Sequence, residues 1–330
     1  MNPEGVRMPS VFETLVRHSD NPSSFLALNQ GNEYFRDPRF DGTCVYRRSG
    51  RHLLQFAGPF AAEEQRAGLL DAFAAQARPR RLVAVQLQRA DAELYGAHGF
   101  TVNQLGASYA VDLARFTLRG SAFVRLRNKI SRARRAGLEV VEAPSAADDE
   151  VQNELDLIDR AWLQGKGGAK ELRFLVGERT GLAQRHRRLF VGRIGGVALG
   201  YISYSPVFGS RPGWLHDLSR RSPDAPPGVM EALNATAMER MSADGAGWLH
   251  FGFTPFTGLS DEHELPCASR TFTRCVRLLA QHGERIYPAA AQLEYKRKWA
   301  PHVVLPEYIA FQGRPGPSAV WQLLRATRAL

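Results

Sequence analysis

The feature that most constrains this chain is the punctuation inside residues 214–258, WLHDLSRRSPDAPPGVMEALNATAMERMSADGAGWLHFGFTPFTG. Trp214, His216 and Leu218 alternate with Leu215, Asp217 and Ser219, which is the period of a strand. Ser219, Arg220 and Arg221 end that strand and open a loop. The run SPDAPPG then excludes a helix until Val229, because its prolines remove backbone donors and Gly228 favours a turn. Met230, Leu233, Ala237 and Met241 fall on one helical face, Asp244-Gly245 stops the helix, and Leu249, Phe251 and Phe253 alternate along a second strand. Strand, basic loop, helix and strand in that order form an anion-holding unit. The first N–H groups and the positive dipole end of the helix face whatever Arg220 and Arg221 hold. A plain α/β crossover with two surface arginines has the same element order. Asp217 beside Arg220 favours the functional reading, because an acid and a base at a strand end are a costly pair to place for packing alone.

The rest of the chain repeats this theme. Residues 11–36 read as a helix and an aromatic-polar stretch, SSFLALNQGNEYFR, ending at a turn at Asp37-Pro38. A hairpin turning at Ser49-Gly50 follows, then the helix AAEEQRAGLLDAFAAQA, the strand RLVAVQLQ, the short helix DAELYGAHG and a strand ending in SYAVDL. A second hairpin turns at Gly195-Gly196, and residues 214–258 supply the next strand, helix and strand. The helix SRTFTRCVRLLAQHG and final strands in AAAQLEYKRKW and VVLPEYIAF complete the second half. The shared order predicts a duplicated unit in an α/β chain. It resembles two acetyltransferase-like (GNAT) folds in tandem, each with a mixed sheet that splays to admit an acyl donor; YGAHGF resembles a helix ending of that fold. The expected division is 1–118, a connecting basic helix and linker at 119–150, and a catalytic unit at 151–330.

Charge points to the partner. The chain of 330 residues carries a formal +10 and a pI near 9.9, which favours a polyanion or an acidic surface. Between Asp112 and Glu139 there is no acidic residue, and there Arg119, Arg125, Arg127, Lys129, Arg132, Arg134 and Arg135 surround an apolar stripe of Phe123, Leu126, Ile130 and Ala133. A one-sign run repels itself, so it reads as a phosphate-binding helix rather than a solvated face; without aromatic interleaving it fits backbone phosphates or lipid headgroups, not base readout or DNA sequence. Cys44, Cys267 and Cys275 suit a reducing compartment, and with no second short-spaced ligand pair beside His263 they read as buried thiols, with no metal. No signal peptide opens the sequence, and no apolar run approaches the ~20 residues of a membrane span.

Three further segments carry chemistry. After a helix with Leu155, Ile158 and Trp162, the segment QGKGGAKELRFLVGE lacks the spacing of a nucleotide-binding loop and reads as a lid; Glu171 in it could recognise an amine. EYKRKWAP reads as a strand that puts Lys296 and Lys298 on one face, where they repel unless an anion joins them. PSAVWQLLRATRAL reads as a short amphipathic basic helix packed on the domain.

Taken together, these residues resemble the cytosolic aminoacyltransferase domain of the phosphatidylglycerol lysyl- and alanyltransferases, the DUF2156 family. The match lies in Asp217, Leu218 and Arg220 followed by Pro223, Pro226 and Gly228, and in Gly252, Pro255 and Gly258. It continues in Tyr295, Lys296, Lys298, Trp299 and Pro301, and in Leu126, Arg127, Asn128, Arg132, Ala133, Gly137 and Leu138. Ser219 stands where the family has methionine. The resemblance implies transfer from an aminoacyl-tRNA co-substrate, with no other cofactor, to a lipid headgroup hydroxyl or a small soluble acceptor. It implies a cytoplasmic location, peripheral at the inner membrane face. Asp217 would orient or deprotonate the acceptor. Arg220 and Arg221, with Gly228, would hold a phosphate, and His216, Gly252 and Pro255 would line the substrate site. Lys296 and Lys298 would neutralise developing charge, and the basic helix would hold the tRNA. The rivals are an acyl-CoA-dependent N-acetyltransferase and a non-catalytic tRNA- or membrane-binding protein.

Overall fold

The computed structural model describes residues 10–144, 149–165, 174–179, 181–282 and 289–327. In the first half, α1 (Val11–His18) is followed by a 3-10 turn at Ser24–Leu28. The strands β1 (Glu33–Phe35), β2 (Gly42–Ser49) and β3 (His52–Ala61) come next. Then α2 (Glu63–Ala77), β4 (Arg81–Leu87), α3 (Arg89–Ala97) and β5 (Thr101–Asp112) complete the half. The connector is α4 (Val124–Arg135). The second half runs β6 (Glu139–Ala143), α5 (Asp149–Gly165), β7 (Arg188–Ile194), β8 (Val197–Val207), β9 (Gly213–Arg221), α6 (Val229–Ala243) and β10 (Trp248–Pro255). It ends with α7 (Arg270–His282), α8 (Ala289–Arg297), β11 (Val303–Phe311) and α9 (Pro317–Ala326).

Among the described residues all strands join one sheet, ordered β1-β2-β3-β4-β11-β5-β10-β9-β8-β7-β6. That order is centred on the β11/β5 pair, with four strands beyond β11 and five beyond β5. The unit β2-β3-α2-β4 on one side matches β8-β9-α6-β10 on the other, and in each a helix returns the chain to a parallel strand (β3 with β4, β9 with β10). Each half lends its last strand to the other. β11 lies between β4 and β5, and β5 lies between β11 and β10. These are the tandem acetyltransferase-like units anticipated from the element order.

The elements follow their sequence signals. Ser10 and Glu13 cap α1 reciprocally. Gly195 and Gly196 take positive φ at the β7–β8 turn. Leu126, Ile130 and Ala133 of α4 are buried against Val229, Ala232 and Leu233 of α6, as the apolar stripe required, while Arg125, Lys129, Arg132, Arg134 and Arg135 are exposed.

Three expectations change. Residues 289–297 form a helix, not a strand: Ala, Gln, Leu, Glu, Lys and Arg are all good helix formers, and the short alternation around Lys296 carried no sheet partner. At ~100° per residue, Lys296 and Lys298 therefore do not share a face. The strand at 213–221 extends through Arg221 and is interrupted by a bulge. Ser203 pairs with Leu218 and Tyr204 with His216, leaving Asp217 as the extra residue. The thiols also differ from expectation, since only Cys44 is buried, Cys267 is half-buried and Cys275 is exposed. No helix among the described residues is long and apolar enough to cross a membrane.

Candidate active site

The site begins where two parallel strands part. β9 and β10 are paired only from Gly213–Leu215 to Trp248–His250; beyond that they diverge. His216 and Asp217 lie on one rim just past the last pair, and Phe251 and Gly252 on the other. Gly252 has φ +65, and a Cβ there would press on Leu215 Cδ1 at 3.2 Å, so glycine permits the departure of β10. A few residues further on, Pro255 pairs with Gly106 of β5.

The bulge decides which side chains face which way. In a regular strand Asp217 and Leu218 would point to opposite faces. With Asp217 inserted, Leu218 packs against Leu155, Ile158 and Tyr201, and the Arg220 guanidinium lies 4.0 Å from the ring centroid of Trp162 in α5. Asp217, Leu218 and Arg220 thus all address the α5 side. His216 takes the other side, with its ring 5.4 Å from Tyr204 and 5.9 Å from Tyr295. Burial pulls the His216 imidazole down to about 4, so it is neutral at physiological pH.

Asp217 does not pair with Arg220. Its carboxylate forms an ion pair with Arg187, with both side chains out of water at 0% and 1% exposure. Ser203 and Ser205 lie beside it, and Gly177 donates to the Asp217 carbonyl at 3.1 Å. A Cβ on Gly177 would come within 2.8 Å of the carboxyl, so that residue seals the pair. Burial raises the Asp217 pKa while Arg187 opposes the rise. Arg220 is itself 9% exposed and donates to the Ser219 carbonyl at 3.1 Å, whereas Arg221 is exposed.

On the opposite rim, α8 delivers Lys296 to the backbone of β10. Its Nζ donates to the Gly252 carbonyl at 2.7 Å and to Thr254 Oγ1 at 2.5 Å, and the residue is only 7% exposed. Burial pulls its pKa down to about 7; the one opposing influence is Glu307 of β11, a fully buried carboxyl that burial pushes up to about 7. Lys298, in the turn after α8, reaches Glu231 Oε1 at 3.4 Å, and Lys129 of α4 reaches the same oxygen at 3.4 Å. Glu231 sits in the first turn of α6, where a carboxylate favours the helix dipole, and so joins α4, α6 and α8. Gly228, with φ +98, closes this junction: a Cβ there would overlap the Lys129 carbonyl, so its close approach is to α4.

The structure therefore brings His216, Gly252 and Lys296 together on the α8 side, with Asp217 on the same β9 rim but turned to the α5 side, and Lys298 and the basic helix at the α6 end. Arg127 turns inward to donate to the Leu118 and Gly120 carbonyls, and Arg134 lies 3.8 Å from Glu239. Glu171 lies outside the described residues. Sequence reasoning missed Arg187, Glu231 and Glu307. Arg187 stands 30 residues before its partner, in a stretch with no motif. Glu231 reads as an ordinary helix-start acid. The only signal at Glu307 is an acid inside an otherwise apolar strand, VVLPEYIAF.

Comparison with known proteins gives the family and the fold. The sequence profile of the family described as Phosphatidylglycerol lysyltransferase, C-terminal, matches residues 12–311. Among solved structures, the chain is similar to the C-terminal domain (DUF2156) of a protein described as a lysylphosphatidylglycerol synthetase from Agrobacterium fabrum. The TM-score is 0.77 at 24% identity, over 96% of this chain and 94% of that one. It is similar to L-PGS from Bacillus licheniformis with a TM-score of 0.77 at 22% identity, over 99% of both chains. FemX shares the fold more distantly, with a TM-score of 0.55 at 10% identity over 96% of this chain and 98% of FemX. No match was found among curated protein sequences.

Proposed function

Because this chain belongs to the phosphatidylglycerol lysyltransferase C-terminal family, we propose that it moves an amino acid from aminoacyl-tRNA to the hydroxyl of an anionic lipid headgroup. The observation that carries the proposal is the parting of β9 and β10 between a buried Asp217–Arg187 pair and a buried Lys296.

An aminoacyl ester is already activated, so the reaction calls for positioning, a proton acceptor and charge stabilisation rather than a protein nucleophile. The acceptor oxygen attacks the ester carbonyl, its proton leaves, and the ribose hydroxyl departs carrying a proton. Lys296, poised near 7, suits that proton transfer in both directions. Asp217, sealed against Arg187, fixes the β9 rim on which the acceptor is oriented. Lys298 and Lys129, held together by Glu231, and the exposed Arg125, Arg132 and Arg135 of α4 meet the tRNA phosphates.

The test is incubation of the purified protein with radiolabelled aminoacyl-tRNAs and phosphatidylglycerol vesicles. Label is expected in the organic phase, and the labelled species names the amino acid. Label that leaves tRNA only when soluble extract replaces the vesicles would replace the lipid with a soluble acceptor. Unconsumed aminoacyl-tRNA in both cases would reject the proposal.

A further inference from the structure

At the far end of the sheet, a basic concavity remains that the acyl-transfer site does not use. Arg78, Pro79, Arg80 and Arg81 carry the chain from α2 into β4, and Gln312, Gly313 and Arg314 lead out of β11. Together they line a cavity of about 550 Å³. Its floor is fixed backbone. Arg80 N–H donates to Ala77 at 2.9 Å, Arg81 N–H to Arg51 at 3.1 Å, and Gln312 N–H to Leu82 at 3.0 Å. The Leu82 N–H returns a bond to Gln312 Oε1 at 3.1 Å.

All four arginines are exposed, and among the described residues none has an acidic partner. Some exposed arginines elsewhere have one, such as Arg39 with Asp37, Arg48 with Glu33 and Arg89 with Glu93; others, such as Arg125, Arg132 and Arg135 of the basic helix α4, have none among the described residues, as in this hollow. Four guanidinium groups line one hollow, and like charges gathered there repel each other until an anion enters.

The lining distinguishes among anions. Planar guanidinium forks match phosphate oxygens two at a time. A bilayer-docking surface presents protruding apolar side chains, whereas this hollow has Pro79 alone. It contains no aromatic ring on which a base could stack, so any nucleic acid is gripped by its backbone, without sequence readout. Position adds a constraint. The cavity borders the Thr101–Phe311 end of the β5/β11 pair, and α4 departs from beyond Asp112 at the other end of β5. The hollow lies at the β4/β11 strand ends, whereas α4 packs on α6, which crosses between β9 and β10, so the two basic surfaces occupy different parts of the sheet. No single phosphate or headgroup reaches both; an extended polyanion does.

We infer that the hollow of Arg78, Arg80, Arg81 and Arg314 is a second phosphate-backbone site that grips the body of an RNA away from its reacting end. The identification of that RNA as the tRNA donor rests on the proposed function; the site itself does not.

The test compares two RNAs over a salt series by fluorescence anisotropy: deacylated bulk tRNA, and an acceptor-stem hairpin of about seven base pairs that carries the reacting end without the body of the tRNA. In the variant R78A/R80A/R81A/R314A, tRNA binding at low salt is expected to weaken at least about tenfold. The log–log salt slope should shrink by about 3, from four lost contacts at ~0.7–0.9 each. Hairpin binding should be unchanged, and the four-lysine variant should keep most of the slope. An unchanged tRNA slope, or equal losses on tRNA and hairpin, overturns the inference. So does loss of binding to phosphatidylglycerol vesicles with the tRNA slope intact. Transfer activity separates the two readings. A lost slope in a protein that transfers nothing leaves the RNA site standing without the donor role, and active transfer with an unaltered slope removes the RNA site alone.

Discussion

At the scale of single residues, the site rests on charges held out of water. Removing one member of the Asp217–Arg187 pair strands the other, which typically costs about 3–5 kcal/mol. Asp217→Asn is therefore expected to lower stability by roughly that amount in urea unfolding and to suppress transfer. The double variant Asp217→Asn with Arg187→Met removes the stranded charge, so it should recover much of the stability while transfer stays low; recovery of transfer as well would make the pair purely structural. Lys296 and Glu307 give a pH signature. Glu307 is raised from 4.5 to about 7, so it binds more protons folded than unfolded; its contribution is complete below about 4.5 and is lost as pH rises through about 7. Lys296 is lowered from 10.5 to about 7, so its contribution is complete above about 10.5 and is lost as pH falls through about 7. The two together place a trough in stability near neutrality. Glu307→Gln should flatten the acid side of that trough in a series of denaturation midpoints. It also removes the one influence that raises the Lys296 pKa, so the rising limb of kcat/KM against pH should move to lower pH. A limb that stays put would remove Lys296 from proton transfer.

At the scale of elements, what the sequence disclosed and what it hid have separate physical causes. The basic helix was legible because its stripe of Leu126, Ile130 and Ala133 is periodic and uninterrupted by acids, and it packs on α6 as that stripe requires. The SPDAPPG loop and the helix from Val229 were legible because proline and glycine act locally. Two features were not. A bulge is set by how two strands pair, so the alternation of residues 214–219 carried no sign that Asp217 is the inserted residue. The lysine segment alternated over too few residues to outweigh its helix propensity. Partners chosen through space, such as Arg187 for Asp217, leave no local trace. The α4–α6 junction is where these elements meet, and Gly228 is its pivot. Gly228→Ala would combine a left-handed φ of +98 with overlap onto the Lys129 carbonyl, so it should push α4 off α6. The expected outcome is a loss of about 2 kcal/mol or more, with faster amide exchange concentrated in α4, and weaker tRNA binding. Exchange that rises evenly over the whole sheet would show that the glycine supports the fold at large rather than this junction.

At the scale of the molecule, the exchange of β5 and β11 binds the halves into one mechanical object. Each strand completes the sheet of the half it did not come from, and β11 pairs along its length with β5 on one side and with β4 on the other. Neither half closes its own sheet without the other's last strand, so the core clusters on both sides depend on the same pair; Tyr308 and Ala310 of β11 lie in one cluster and Ile309 and Phe311 in another. The rims inherit this coupling, because Lys296 reaches Gly252 from the helix that immediately precedes β11, and Glu307 is on β11 itself. Two independently stable units would unfold in two calorimetric steps. The strand exchange predicts a single transition whose van't Hoff and calorimetric enthalpies agree, with a ratio of about 1. It also predicts that a chain ending before Val303 fails to fold in either half, since β4 and β5 would each be left with an unpaired edge in the middle of the sheet. A truncated chain that keeps the first half folded, seen as retained protection of β2, β3 and β4 in amide exchange, would show that β11 is an addition to that half rather than a part of it.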